Sequence, residues 1–402
     1  MDSGHVAWVL ASAALVLFMT PGLAFFYGGM DRARNVLNML MMNFWCLLIV
    51  PVLWVVVGFS LAQGGTGAFI GNFEFAFLRG MNLDDGGEAL LTMVFLGMFA
   101  VITPALISGA VAGRMKFSAW MIFVPVWVLV VFAPVFKWVY GGWIGNRGGL
   151  DFAGGTAIHV NAGMAALALV LVLGKRRGWP TEGHPPHSMP LVMLGAGILW
   201  FGWFGFNAGS ALAADGTAVQ AFVNTFLAAA AAGLAWALTE RLRDGHVTNL
   251  GAASGIVAGL VAITPAAGFV AGMSALYIGA IAGVVCCYAV RLKSKAGYDD
   301  ALDVVGVHLV GGLVGSLLIG LLAQPEFFGG DFDAGLFYDG GLSLLGEQAL
   351  GNLGTMVFSF VATFVIAKVI DAAIGLRADQ EVEATGLDLA EHAETAYQSL
   401  TN

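Results

Sequence analysis

Two aspartate and histidine pairs stand out in a chain that is poor in charge. Asp151 precedes His159 by eight residues in "DFAGGTAIHVNAG", Asp300 precedes His308 by eight in "DDALDVVGVHLVGGLVG", and a glycine follows each histidine four residues on, at Gly163 and Gly312. Both histidines open long apolar runs, where an ionisable group costs about 2.5 to 3.5 kcal/mol on insertion scales and needs a partner or a function. Two imidazoles in equivalent places can share one proton between rings. Their remaining nitrogens then offer a donor and an acceptor to a small polar solute, and an unperturbed pKa of about 6.5 allows proton hopping. A metal centre is the competing chemistry, but two ligands are too few, there is no His-Glu-x-x-His, and no cysteine is near. No cofactor or metal is expected. Asp151 has two readings: attraction of a cation at a pore mouth, or acceptance of loop amides in "DFAGGT" as a helix cap. Asp303, about a turn before His308, is the candidate for the matching structural part in the second pair.

The elements that must position these groups follow from composition. Of 402 residues, 59% are hydrophobic and 11% charged, against about 25% charged in soluble domains. A spanning helix needs roughly 20 apolar residues, and eleven such segments are expected at 6–27, 36–62, 91–113, 117–139, 156–174, 190–212, 217–240, 249–266, 272–291, 302–324 and 345–370. The eighth, short and rich in Gly and Ala, is the weakest. The fold class is therefore an all-α, multi-pass integral membrane bundle, with the first apolar run read as a helix and not as a cleavable leader. Lys and Arg gather in cytoplasmic loops. Here they follow odd-numbered segments (Arg32, Arg34; Arg114, Lys116; Lys175–Arg177; Arg241, Arg243; Arg291, Lys293, Lys295; Lys368, Arg377), with Arg79, Lys137 and Arg147 on the other side beside acids such as Asp84 and Asp85. That pattern puts the N-terminus outside and the C-terminus inside a cytoplasmic membrane. The net charge of -9 lies mostly in outer loops and the tail, which argues against nucleic acid. Cys46, Cys286 and Cys287 have no spacing for a disulfide framework and read as packing residues.

The segments repeat. "AVITPA" (Ala100–Ala105) returns as "VAITPA" (Val261–Ala266), both with a Thr-Pro where a proline would interrupt a helix, and "AFFYGG" in the first segment has its counterpart in "GFNAGS" in the sixth. With the two histidine words, this makes a five-segment repeat, about 1–175 and 190–324, followed by a last helix. An offset of five crossings inverts one half relative to the other, the design of transporters and channels whose substrate path lies near the midplane between the halves. Phe99 and Phe206 fall in the repeated motifs, and Trp138, Tyr140, Trp143 and Trp203 cluster near outer ends. A ring face can hold a cation worth about 0.5 to 2 kcal/mol, and each such ring can equally be packing or interfacial belt.

At "DFAGGTAIHVNAG", "GWFGFNAGSAL" and "DDALDVVGVHLVGGLVG" the chain resembles the ammonium transporter family (Amt/Mep/Rh), on the Amt side, from "PGLAFFYGG" to the tail "GLDLAEHAETAY". The resemblance implies a homotrimer with one pore per eleven-helix subunit, residues 1–374, and a cytoplasmic regulatory tail, 375–402. It implies that His159 and His308 are the twin pore histidines, Asp151 the aspartate below the outer vestibule, Phe99 and Phe206 the blocking phenylalanines, Ser210 the recruitment serine, and Trp203 a lining tryptophan. The family's Trp-Gly-Gly-Gly is replaced here by "WVYGGWIG", which aligns Tyr140, with Trp138 as the other candidate, to the recruitment tryptophan. The expected function is recruitment of ammonium at an outer aromatic site, deprotonation, and conduction of ammonia past the histidines, with the proton returned outside or relayed. Two alternatives stay open. One is an ammonium sensor signalling through its inner face, whose acidic tail is either a solvated terminus or a docked element answering to a PII-type signalling protein. The other is a neutral ammonia gas channel. No nucleophile and base pair or phosphate loop appears, so an enzyme is not expected.

Overall fold

The computed structural model describes residues 2–84 and 86–397, so Asp85 and the last five residues of the expected tail lie outside the described residues. Eleven apolar helices are labelled in chain order: α1 (Ser3–Met30), α2 (Val36–Gln63), α3 (Glu88–Val111), α4 (Phe117–Val139), α5 (Gly155–Leu173), α6 (Met189–Gly209), α7 (Gly216–Asp244), α8 (Asn249–Ile263), α9 (Ser274–Ala296), α10 (Val305–Leu322) and α11 (Ser343–Ile374). Ten of these are long and apolar enough to cross a membrane, and α8 is the shorter one. Among the described residues there is no strand, only one isolated bridge between Met115 and Arg377. Closure of every backbone group within its own helix is what a hydrocarbon solvent demands.

The helix boundaries follow local chemistry. Asp215 and Thr248 cap α7 and α8 by accepting the N–H of Ala218 and Gly251 through their side chains, and Gly245 and Gly297 take left-handed turns after α7 and α9. The two Thr-Pro words behave differently. α3 runs through Pro104 to Ser108 before tightening, so the expected interruption is absent there, whereas α8 stops at Ile263, just before Thr264-Pro265. Thr103 and Thr264 each donate their hydroxyl to the carbonyl four residues back, Phe99 and Leu260.

First and last elements of the two halves pack antiparallel. The Trp8 indole of α1 donates to the Ala208 carbonyl near the end of α6, while a methyl added at Gly29, near the other end of α1, would meet the Val192 amide nitrogen at 2.7 Å. α5 and α10 cross in the same sense, with Thr156 against Ser316 at 3.4 Å. Small residues at such crossings let backbones approach closely, the main route to helix association in lipid. The tail folds back on the end of the bundle where α1 gives way to α2. Asp388 accepts the N–H groups of Leu37 and Asn38, Ala378 N–H donates to Arg114 C=O, and Leu376 and Leu387 are fully buried. Over the described part the tail is packed on the bundle and not solvated, with His392 against Asn38 at 3.0 Å. This end is called the tail end below, and the opposite one the vestibule end.

Candidate functional site

Each histidine sits where its helix is wound loosely. His159 N–H donates to Gly154 C=O, five residues back, and Val310 N–H donates likewise to Val305 C=O, so both histidines lie in π-helical turns, 155–160 and 305–309. α2 and α4 hold similar turns without ionisable residues. A π-turn displaces the residues after it relative to a regular helix and is often found at functional positions. The aspartates initiate these turns. Asp151 Oδ1 accepts from Gly154 and Gly155 at 2.8 and 2.7 Å, and Oδ2 from Thr156 and Ala157 at 2.8 and 3.0 Å. Burial pushes its carboxyl above the usual range, against the downward pull of the four amides. In the second half the cap is Asp300, whose Oδ2 accepts Val305 N–H at 2.7 Å. Burial raises the Asp300 carboxyl to about 6. Asp303, expected in this part, instead pairs with Lys293 at 2.5 Å and has a positive φ of 66°. The eight-residue spacing, and not the nearer carboxylate, carries the symmetry.

The two histidines meet at the crossing of α5 and α10. Their Nδ1 atoms lie 3.3 Å apart, with ring centroids 5.3 Å apart and planes inclined by 19°. At this distance one Nδ1 can donate to the other, the roles being set by the two tautomers. His308 Nε2 stands 3.5 Å from the Tyr27 hydroxyl. His159 Nε2 is buried with no protein partner. The following glycines explain the closeness. A methyl at Gly163 would meet Leu309, the neighbour of His308, at 2.5 Å, and one at Gly312 would meet His159 Cβ at 3.1 Å. Each histidine's helix lies in the notch left by the other's glycine.

The eight candidate residues fall into two consecutive spaces. A vestibule of about 320 Å³ is lined by Phe99, Tyr140, Asp151 and Ser210. A narrow apolar cavity beneath it is lined by His159, Trp203, Phe206 and His308. Phe99 and Phe206 stack between them at 4.4 Å with a 30° tilt, both buried, and close the way from one to the other. Tyr140 rests on Phe136 at 4.6 Å. Trp138 does not line the vestibule; its indole donates to Phe69 C=O and packs on Phe358. Ser210 Oγ donates to the Phe206 carbonyl at 2.9 Å. Trp203 stacks over His159 at 5.5 Å and donates to Thr264 Oγ1 at 2.8 Å. Beyond His308 a third space continues toward the tail end past Tyr27 and Asp303.

Sequence reasoning passed over Phe95, edge-on to Phe99 at 5.0 Å, as well as Tyr27 and Thr264. Tyr27 and Thr264 stand in words already singled out as repeats, "AFFYGG" and "VAITPA". Among the described residues no group of His, Cys, Asp and Glu could hold a metal ion. The arrangement is a vestibule holding a carboxylate, an aromatic plug and a mainly apolar passage whose polar lining groups include the two imidazoles and the Trp203 indole, with Tyr27, Ser254 and Asp303 toward the tail end.

Known proteins resemble this chain in sequence and in fold. The sequence model of the Ammonium Transporter Family matches residues 7–397. The chain is 52% identical to the ammonium transporter of Mycobacterium tuberculosis, over 98% of this chain and 90% of the relative, and 49% identical to that of Aquifex aeolicus, over 99% and 94%. Among solved structures it resembles Candida albicans Mep2 (TM-score 0.89, 34% identity, 99% of this chain and 91% of that one) and a sensor Amt protein (TM-score 0.90, 28% identity, 97% and 98%). The chain belongs to the ammonium transporter family.

Proposed function

We propose that the chain takes up ammonium across the cytoplasmic membrane by recruiting the cation in the vestibule and conducting ammonia past His159 and His308. The vestibule supplies two kinds of attraction for a cation, the ring of Tyr140 and the charge of Asp151. The stacked pair of Phe99 and Phe206 leaves no room for a hydration shell, and a bare ion in apolar surroundings costs many kcal/mol. Loss of the proton at this point lets neutral ammonia proceed. In the cavity beneath, ammonia can donate to one imidazole nitrogen and accept from another. The proton returns to the vestibule side or passes along the shared Nδ1 pair. The observation that carries this reading is the 3.3 Å contact between two histidines from equivalent crossed helices inside an otherwise apolar cavity.

The membrane frame goes with it. An eleventh crossing by α8 is supported by its ends: Thr248 contacts Glu240 near the close of α7, and Pro265 C=O accepts Phe152 N–H beside the vestibule. The basic loops at the tail end support an outside N-terminus and an inside C-terminus. The family resemblance supports a homotrimer, and the docked tail is the surface on which a PII-type signalling protein would act.

The test is the transient current from proteoliposomes after an ammonium concentration jump, for the native chain and for His159→Ala/His308→Ala. A current whose decay quickens with protein density, and which the variant loses, supports charge-moving transport through the histidines. No current in liposomes holding folded protein would exclude the relay along the Nδ1 pair and leave return of the proton to the vestibule side; absence of ammonia flux as well, or a flux that the double variant retains unchanged, would overturn the proposal.

A further inference from the structure

The tail end holds a further polar cavity, lined by none of the residues that line the path. It measures about 290 Å³ and lies between the α1–α2 loop, the α5–α6 loop and the tail. Four guanidiniums line it, from Arg32, Arg34, Arg176 and Arg177. Arg176 is committed, bound to Asp299 at 2.6 Å. The side chains of Arg32, Arg34 and Arg177 make no hydrogen bond or ion pair with a described residue; Arg32 is half-buried, and Arg34 and Arg177 are exposed at the rim. The carboxylates do not balance them. Glu383 is taken by Arg377 at 2.6 Å and by the Arg177 amide at 3.1 Å, Asp31 receives His184 at 3.1 Å, and only Glu182 is uncommitted among the acids that line the space. Three free guanidiniums against the carboxylates of Glu182 and, behind His184, Asp31 leave an excess of at least one positive charge. Uncompensated like charges gathered around one concavity repel one another, and guanidinium forks match the oxygens of phosphate better than any other side chain. A phosphomonoester carries close to two negative charges near neutral pH.

We infer that the cavity framed by Arg32, Arg34 and Arg177 binds a phosphate-bearing ligand, whose occupancy braces the tail against the two loops. The coupling is geometric. The arginines come from both loops, while Glu383 and Ala384 close the cavity from the tail, so a phosphate bridging the loops makes the tail part of its wall. The source is either a soluble phosphomonoester or the headgroup of an anionic lipid.

The test uses the full chain in phosphatidylcholine nanodiscs, with glycerol 3-phosphate as the soluble probe followed by calorimetry, and with nanodiscs containing phosphatidylglycerol as the lipid arm. Hydrogen exchange of residues 380–388 is read in both. Saturable binding of glycerol 3-phosphate with slowed tail exchange, weakened about tenfold or more in Arg32→Gln/Arg177→Gln, supports a soluble ligand. No such binding, but tail protection by phosphatidylglycerol that the double variant loses, supports the lipid source. Glu182→Gln removes the opposing charge and should tighten binding roughly two- to fivefold, as expected of one partly screened charge. A misfolded variant cannot mimic that gain. Absence of an effect in both arms, or effects that Glu182→Gln and the double variant leave unchanged, would overturn the inference.

Discussion

Asp151 separates two roles that a pore-mouth carboxylate can have, and Asp151→Asn tests them together. An amide keeps the shape but replaces one carboxylate oxygen with a donor. Oδ1 serves Gly154 and Gly155 and Oδ2 serves Thr156 and Ala157, so either orientation of the asparagine leaves two buried N–H groups facing an NH2. Each orphaned buried donor costs about 1 to 3 kcal/mol, which puts the destabilisation at about 2 to 6 kcal/mol, concentrated at the turn that aims His159. A role in cation attraction alone would weaken recruitment and leave the fold untouched. The cap role predicts a thermal midpoint in detergent, followed by tryptophan fluorescence, that falls by about 3 °C or more, together with a lower maximal current that raised ammonium does not restore. Asp151→Glu, with both oxygens but one more methylene, should recover part of the stability. An Asp151→Asn protein with an unchanged midpoint and a current restored by more ammonium would refute the reasoning.

Other consequences are as specific. Thr264→Val removes the acceptor of the Trp203 indole and should cost about 1 to 3 kcal/mol; the current should fall, and Thr264→Ser should restore it. Gly163→Ala forces a methyl against Leu309 at 2.5 Å, whereas Gly197 on α6 faces open space. The first should cost about 1 to 3 kcal/mol through overpacking and spread the histidines, with a reduced current, and Gly197→Ala should leave both stability and current unchanged. Arg176→Gln takes the guanidinium from the fully buried Asp299 carboxylate, leaving it the amide of residue 176, and should cost about 3 to 5 kcal/mol. Burial alone would raise the Asp299 carboxyl, but the hydrogen bonds of Arg176 and the charge of Arg114 hold it below the usual range. Its contribution to stability is therefore present above the unfolded carboxylate value of about pH 4 and lost as pH falls through the folded one. Unfolding midpoints between pH 7 and pH 3 should show a steeper acid loss in the native chain than in Asp299→Asn.

Much of this molecule is legible from one sequence because a hydrocarbon solvent makes composition decisive. A long apolar run must become a helix, since no other backbone arrangement satisfies its own amides there; this is why the expected 117–139 coincides with Phe117–Val139 and 36–62 nearly with Val36–Gln63. The histidines were marked by rarity and by the repeat, which are properties of the chain alone. The sequence also placed an aspartate eight residues before each. Which amides those aspartates accept, and which of Asp300 and Asp303 holds the position matching Asp151, is decided only where the backbone turns back over the carboxylate. Tyr140 and Trp138 are two residues apart, and only the end of α4 decides that the first lines the vestibule and the second turns to Phe69. The partnership of Trp203 with Thr264, the stacking of Phe99 on Phe206, and the Nδ1 contact of His159 with His308 likewise join residues far apart in the chain. Periodicity and polarity act within one helix, so sequence determines which helices form and which groups are costly to bury. Which of those groups touch is decided by how the helices cross, and at Gly163 and Gly312 that crossing depends on side chains that are not there.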